Sequence, residues 1–153
     1  MAGPCRTSSG QFACRALAAD LLVVDASVVV KSILAEDHLA SLRGFSLHAP
    51  TLLWSEAGSA LSQLRLRSEV NEDEVQVAVD RLANARIKAH ASADLVRDAL
   101  GLARQFGWAK TYDAEYAVLA RILGASLLTL DARLARSIGH VVDVIDPATL
   151  DRA

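Results

Sequence analysis

Hydrophobic residues along the chain fall into short uninterrupted runs and longer stretches with a helical repeat. The runs at 21–25, 46–49 and 126–130 predict buried strands, and 87–90 and 141–145 predict two more. Helical periodicity and capping residues predict helices at 27–36, 38–43, 50–67, 72–85, 92–106, 111–123 and 132–137. Short apolar strands separated by helices indicate an α/β domain, with a central parallel sheet of four to five short strands flanked by helices.

The start of the chain does not share this periodic pattern. Residues 1–20 are rich in Gly, Ser and Ala, and their apolar centre at 16–19 is too short for a signal peptide. We therefore expect a flexible N-terminal extension at 1–20, followed by one domain at 21–150. Cys5 and Cys14 match no zinc or disulfide pattern, and no uninterrupted apolar stretch could span a membrane. The default location is therefore a reducing cytoplasm.

The balance of basic and acidic residues excludes one class of nucleic-acid-binding function. The chain holds 16 Lys and Arg against 18 Asp and Glu, a formal net charge of −2. That balance excludes a protein that coats nucleic acid non-specifically, because such proteins neutralise many phosphates with Lys and Arg. Any contact with nucleic acid must then come from a local basic patch or through a bound metal ion.

Four acidic residues occupy positions that are unfavourable for acids. Asp25 and Asp131 each follow an apolar strand, and Glu56 and Asp113 lie on the inward sides of two hydrophobic helices. An isolated buried carboxylate is costly unless it is paired, protonated or bound to a metal ion. No inward-facing cations accompany these acids in the pattern, so together they predict a divalent-metal site.

Each acid also has a simpler interpretation as a helix cap or a dipole contact. Asp25 and Asp131 precede predicted helices, where aspartate is a common N-cap, although Ser27 offers a competing cap. Glu56 and Asp113 lie in the first turns of their helices, where the helix dipole favours an anion. Convergence of the four acids on one site would explain all four positions, because ligand sites in parallel-sheet proteins form just beyond the carboxyl ends of the strands. Oxygen-only ligands select Mg²⁺ or Mn²⁺, which activate water for phosphodiester hydrolysis.

Four segments of the chain resemble the PIN-domain ribonucleases, and within them the VapC-type toxins of bacterial toxin–antitoxin pairs. The segments are VVDASVVVK at 23–31, APTLLWSEAGSAL at 49–61, TYDAEYAVLA at 111–120 and LLTLDARLA at 127–135. The third is the most specific, with Tyr-Asp-Ala-x-Tyr leading into a helix of small residues. The resemblance runs in order from about Leu21 to Val144 and implies a PIN-like fold.

This resemblance also implies a function and a set of site residues. The implied function is a Mg²⁺- or Mn²⁺-dependent endoribonuclease that acts as a toxin on RNA. The implied catalytic and metal-binding acids are Asp25, Glu56, Asp113 and Asp131, and the supporting hydroxyls are those of Ser27 and Thr129. A homodimer and a small antitoxin that inserts a peptide near the acidic groove are implied as well. The chain departs from many relatives at Ser59, where they carry Asn, which affects hydrogen bonding around Glu56 rather than the ligands.

Basic residues near the acids are candidate RNA contacts. Each could also be a surface side chain that is simply solvated. Lys31 lies one helical turn past Ser27. Arg133 and Arg136 follow Asp131 closely enough to line the mouth of the predicted acidic site. The four histidines are scattered over different elements, so packing or solvated roles are expected for them.

Two other classes of function also place acids beyond a parallel sheet. A receiver or phosphatase-like domain would bind Mg²⁺ there and handle phosphate. Asp25 lacks an adjacent acid, however, residue 27 is Ser where a phosphatase would need Asp-x-Asp, and residues 141–146 offer no lysine. Trapping of an acyl phosphate would identify either domain. A non-catalytic scaffold with the PIN fold is the other alternative, and a metal titration would identify it.

Overall fold

Five parallel strands form the centre of the protein, which confirms the predicted α/β class. The computed structural model describes residues 21–35 and 42–152, so the predicted extension at 1–20 and most of the predicted helix at 38–43 lie outside them. The strands are β1 Leu21–Val24, β2 Ser46–Pro50, β3 Ile87–His90, β4 Ser126–Leu128 and β5 Val144–Ile145. The helices are α1 Ala26–Leu34, α2 Leu52–Leu66, α3 Glu72–Ala83, α4 Ala93–Phe106, α5 Tyr112–Leu123 and α6 Ala132–Ile138, followed by a 3₁₀ helix at Pro147–Arg152.

The order of the strands places a reversal of the chain path beside β1. The order is β3-β2-β1-β4-β5, so the chain moves outwards from β1 to β3 and then resumes on the other side with β4. Val24 pairs with Leu128, and the Asp25 N–H donates to the Leu128 carbonyl at 3.0 Å. Open α/β sheets form their ligand sites at such a reversal, beyond the carboxyl ends of the strands. The residues that follow β1 and β4 therefore meet at one place.

Three element boundaries differ from the predicted ones for local reasons. Helix α2 begins at Leu52 rather than at Pro50, because Pro50 still pairs with β3 and the Thr51 N–H donates to the His90 carbonyl. Strand β4 ends at Leu128 and leaves Leu130 exposed. Strand β5 contains only Val144–Ile145, because the N–H groups of residues 141 and 142 still bond to the end of α6.

Helix α5 is the central helix that its apolar sequence predicts. It contacts β1, β2 and β4, and α4 packs along it, while α1, α2 and α3 contact one another. Its buried residues are Ala114, Tyr116, Ala117, Val118, Leu119 and Ala120. Burial of this apolar surface fixes α5 against the strands whose ends carry the acids, so the first turn of α5 lies near them. In the part of the chain that the structure describes, no helix is both long enough and apolar enough to span a membrane.

A pair of histidines joins β2 to β3. The His48 and His90 rings contact each other through Nδ1 and Nε2 at 2.8 Å, and Ser46 lies 3.1 Å from the second nitrogen of His48. Burial lowers the pKa of His48, and the nearby His90 and Lys88 lower it further. His48 is therefore a neutral, packed side chain, in agreement with the packing role expected for the histidines.

Candidate functional site

Asp25 lies at the carboxyl end of β1, where two hydroxyl groups hold its side chain. Ser27 Oγ donates to Asp25 Oδ2 at 2.6 Å, and Thr129 Oγ1 donates to the same oxygen at 2.7 Å. The side chain is buried and makes no cap hydrogen bond, although Asp25 occupies the N-cap position of α1. The simpler interpretation of Asp25 as a helix cap is therefore wrong. The two hydroxyls satisfy one carboxylate oxygen and fix the direction of the other.

Thr129 also connects Asp25 to the next acid along the chain. Its buried hydroxyl accepts a hydrogen bond from the Asp131 N–H at 3.0 Å while it donates to Asp25. The Asp131 side chain caps α6, because its Oδ1 accepts from the N–H groups of Arg133 and Leu134 at 2.8 and 3.0 Å. The cap interpretation is thus correct for Asp131, but both cap bonds use the same oxygen. A carboxylate held in this way can present its second oxygen to a cation.

Glu56 is anchored by a tyrosine that sequence reasoning did not assign to the site. The Tyr116 hydroxyl donates to Glu56 Oε2 at 2.7 Å, and the side chain of Tyr116, on α5, is fully buried. Burial raises the pKa of Tyr116, and the bond to Glu56 raises it further, so the hydroxyl keeps its proton. Its signal in the sequence was the second tyrosine of Tyr-Asp-Ala-x-Tyr, three residues after Asp113 on the same helix.

Asp113 lies at the rim of the site and is less buried than predicted. Its side chain keeps 40% of its exposure, and it lies in the first turn of α5. Arg133 Nη2 lies 3.8 Å from Asp113 Oδ2, and the arginine side chain is 79% exposed. An ion pair this long and this exposed contributes little to stability. Arg133 is therefore a cation at the mouth rather than a fixed counter-charge.

Electrostatic interactions link the four carboxylates through Asp25 and Asp113. Burial raises the pKa of Glu56, and the charges of Asp25, Asp113 and Glu115 raise it further. Burial likewise raises the pKa of Asp113, with added contributions from Asp131 and Asp25, while Arg133 lowers it. Acids from two strand ends and two helices thus repel one another through these pairs. That they form one metal site stays a prediction.

These groups fit a hard divalent cation by their chemistry. The donors are carboxylate oxygens, and their mutual repulsion is a cost that a bound cation would remove. Across residues 21–35 and 42–152, no three acidic, histidine or cysteine side chains form a ready-made metal cluster. Asp25, Glu56 and Asp131 instead take the hydrogen bonds described above.

Among the residues that the structure describes, two of the three basic residues predicted to bind RNA do not bond to the acids. Lys31 is exposed in the last turn of α1, and Arg136 is exposed in the last turn of α6. Within the described residues, neither makes a hydrogen bond or an ion pair with the four carboxylates, whereas Arg133 reaches Asp113. Glu115 was not predicted near the site, yet its charge acts on Glu56.

Comparison with known proteins gives a consistent match. A model of the PIN domain family matches residues 22–138 of the chain. Ribonuclease VapC3 of Pyrobaculum aerophilum is 32% identical over 128 residues, which are 79% of this chain and 97% of that protein. Ribonuclease VapC12 of Mycobacterium tuberculosis is 30% identical over 128 residues, which are 81% of this chain and 97% of that protein.

A solved structure agrees with the fold described above. The crystal structure of PAE2754 from Pyrobaculum aerophilum aligns with a TM-score of 0.65 at 26% sequence identity. The alignment covers 88% of this chain and 96% of that one. The parallel sheet, its strand order and the position of α5 therefore belong to an arrangement already seen in an experimental structure.

Proposed function

Because this chain belongs to the PIN domain family, and within it to the VapC-type proteins, we propose that it is an endoribonuclease that requires Mg²⁺ or Mn²⁺ and acts as the toxin of a toxin–antitoxin pair. The observation that carries this proposal is the electrostatic interaction that links the four carboxylates beside the chain reversal between β1 and β4. The relatives are named ribonucleases, which supports the nuclease activity. The carboxylate oxygens of the site are donors that Mg²⁺ and Mn²⁺ prefer, which supports the metal requirement.

In this proposal Asp25, Glu56, Asp113 and Asp131 hold the cation, and the domain extends over 21–150. When bound, a metal of this class activates water and neutralises charge on the phosphodiester oxygens. The hydrolysis leaves a 5′ phosphate on one product and a 3′ hydroxyl on the other. An acidic site without many basic residues can bind an anionic substrate only when a cation bridges the two.

The chain's own residues orient the acids. Ser27 and Thr129 fix Asp25 Oδ2, and the Tyr116 hydroxyl fixes Glu56 Oε2, so the oxygens are positioned before substrate arrives. Tyr116 remains a donor because its pKa is raised above the ordinary tyrosine value. The exposed Arg133 guanidinium beside Asp113 is placed to meet a phosphate at the mouth of the site.

Removal of divalent metal tests the activity directly. The purified protein is expected to cleave a structured RNA in Mg²⁺ or Mn²⁺, to lose that cleavage in EDTA, and to regain it when metal is restored. The Asp113→Asn protein, purified in the same way, controls for contaminating nuclease and is expected to be inactive in every condition. Equal cleavage with and without EDTA would contradict metal dependence, and activity in Asp113→Asn would contradict the site.

The proposal includes a protein partner and a dimer. A VapC-type toxin is expected to work on RNA in the cytoplasm, to form a homodimer, and to be restrained by a small antitoxin that covers the acidic groove. Co-expression with the small protein encoded beside it is expected to give a stable complex without RNA cleavage, and light scattering would measure the number of subunits. A monomeric toxin that forms no such complex would contradict both assignments.

A further inference from the structure

A groove beside Asp113 is lined by aromatic and basic side chains that metal binding by the acids does not require. It has a volume of about 500 Å³ and lies between the segment that precedes α5 and helix α6. Its functional side chains are Trp108, Lys110, Tyr112, Asp113 and Arg133. Because Asp113 belongs to both the groove and the acidic site, whatever occupies the groove is adjacent to the site.

Aromatic rings and cations alternate along this groove. The Tyr112 side chain is 49% exposed, although a large aromatic side chain is normally buried. Lys110 Nζ lies over one face of the Tyr112 ring, 5.8 Å from its centre, so a base would stack on the other face, and Arg133 is exposed on the α6 side of the groove. Trp108 is held in place by stacking on Phe106, with ring centres 4.9 Å apart and an interplanar angle of 25°. The groove is therefore an open surface supported by the core.

This combination matches the chemistry of single-stranded RNA. Unpaired bases stack on exposed aromatic side chains, and cations beside the rings bind the phosphates. The chain has a net charge of −2 and its acidic site repels a polyanion, so a local pair of cations is required to hold the strand. Within the described residues, Lys110 and Arg133 lie at the groove, whereas Lys31 and Arg136 do not line it.

We propose that this groove binds the nucleotide adjoining the phosphodiester that is cut, with its base stacked on Tyr112 and its phosphate bound by Lys110 and Arg133. The inference rests on the proposed ribonuclease function and adds the residues that hold the substrate beside the cleavage site. Tyr112 acts as a substrate-positioning residue, since its ring lines the groove next to Asp113.

Kinetics of single substitutions test the groove. Tyr112→Ala and Lys110→Gln are each expected to raise KM for a single-stranded RNA by about tenfold, with kcat nearly unchanged, because stacking and phosphate contacts hold the strand without joining the reaction. Tyr112→Phe keeps the ring and is expected to retain the normal KM. Matched controls are Ile122→Ala, an equally exposed apolar side chain on α5, and Lys88→Gln on β3, and both are expected to behave as the unaltered protein.

Binding measurements separate this inference from the ribonuclease proposal. A short labelled RNA is titrated into Asp25→Asn protein that carries each groove substitution, so that affinity is measured without cleavage. We expect about tenfold weaker binding of single-stranded RNA for Tyr112→Ala and no loss for duplex RNA, whose bases are already stacked. If RNA binding depends on Tyr112 but the intact protein cleaves no RNA, the groove assignment stands and the nuclease assignment fails.

Three results would overturn the groove assignment while leaving the nuclease intact. One is an unchanged KM and affinity in Tyr112→Ala and Lys110→Gln. A second is a fall in kcat alone, which would mean that Tyr112 merely positions Asp113. The third is loss of affinity for the antitoxin with RNA binding unchanged, which would assign the groove to the protein partner instead.

Discussion

Asp25→Asn is expected to reduce metal-dependent RNA cleavage by at least about a hundredfold. Outer partners of a metal ligand usually contribute about 10- to 100-fold to activity or affinity, so loss of a charged ligand should have a larger effect. Asparagine keeps the shape of the side chain and can still accept the hydroxyl bonds from Ser27 and Thr129. The fold is therefore expected to survive, and the loss should come from the missing charge.

The measurement is a cleavage rate at saturating Mg²⁺ together with a thermal unfolding curve. Asp98→Asn, an exposed acid on α4, is the matched control and is expected to keep full activity. A variant that is folded and still cleaves at the normal rate would remove Asp25 from the catalytic machinery. If Asp25→Asn fails to fold, Asp113→Asn at the exposed rim provides the same test with less risk to the structure.

Thr129→Val is expected to weaken both stability and activity, because valine has the shape of threonine without the hydroxyl. The buried hydroxyl donates to Asp25 and accepts from the Asp131 N–H, so its removal takes away one of the two hydroxyl donors of Asp25 and leaves the Asp131 N–H without its partner. Leaving a buried group unsatisfied costs roughly 1–3 kcal/mol in unfolding free energy. Cleavage is expected to fall by about 10- to 100-fold, because the carboxylate of Asp25 loses its orientation.

Thr129→Ser separates the contribution of the hydroxyl from that of the methyl group. Serine restores both hydrogen bonds and loses only a methyl group, so most of the activity is expected to return. Urea unfolding measures the stability, and cleavage at several Mg²⁺ concentrations measures the metal affinity. Equal activity in the valine and serine variants would show that the hydroxyl has no role at the site.

The meeting of Asp25 with the end of β4 was predictable from the sequence. Two short apolar runs, each followed by an acid and then by a helix, predict parallel strands whose carboxyl ends lie on one edge. Hydrophobic periodicity also identified α5 as the central helix. These inferences depend only on local pattern and on the geometry of parallel sheets, which is why they are correct.

The hydrogen bonds within the site were not predictable in the same way. Tyr116 lies on an apolar face, and its sequence position cannot distinguish a core ring from a donor to Glu56. That distinction depends on how α2 and α5 lie relative to each other. The periodicity of α5 likewise overestimated the burial of Asp113, because a helical repeat does not indicate how far neighbouring elements cover the first turn. Leu130 is exposed for a similar reason, since β4 has already ended.

The bond between Thr129 and Asp25 joins residues 104 positions apart in the chain. While a ribosome is still translating the protein, Asp25 emerges long before the residue that orients it, and β1 lacks the neighbour that completes its edge. A chain that ends before Thr129 therefore lacks a hydroxyl that orients Asp25. Under the proposed function, only chains that extend past this residue would need to be restrained by a partner.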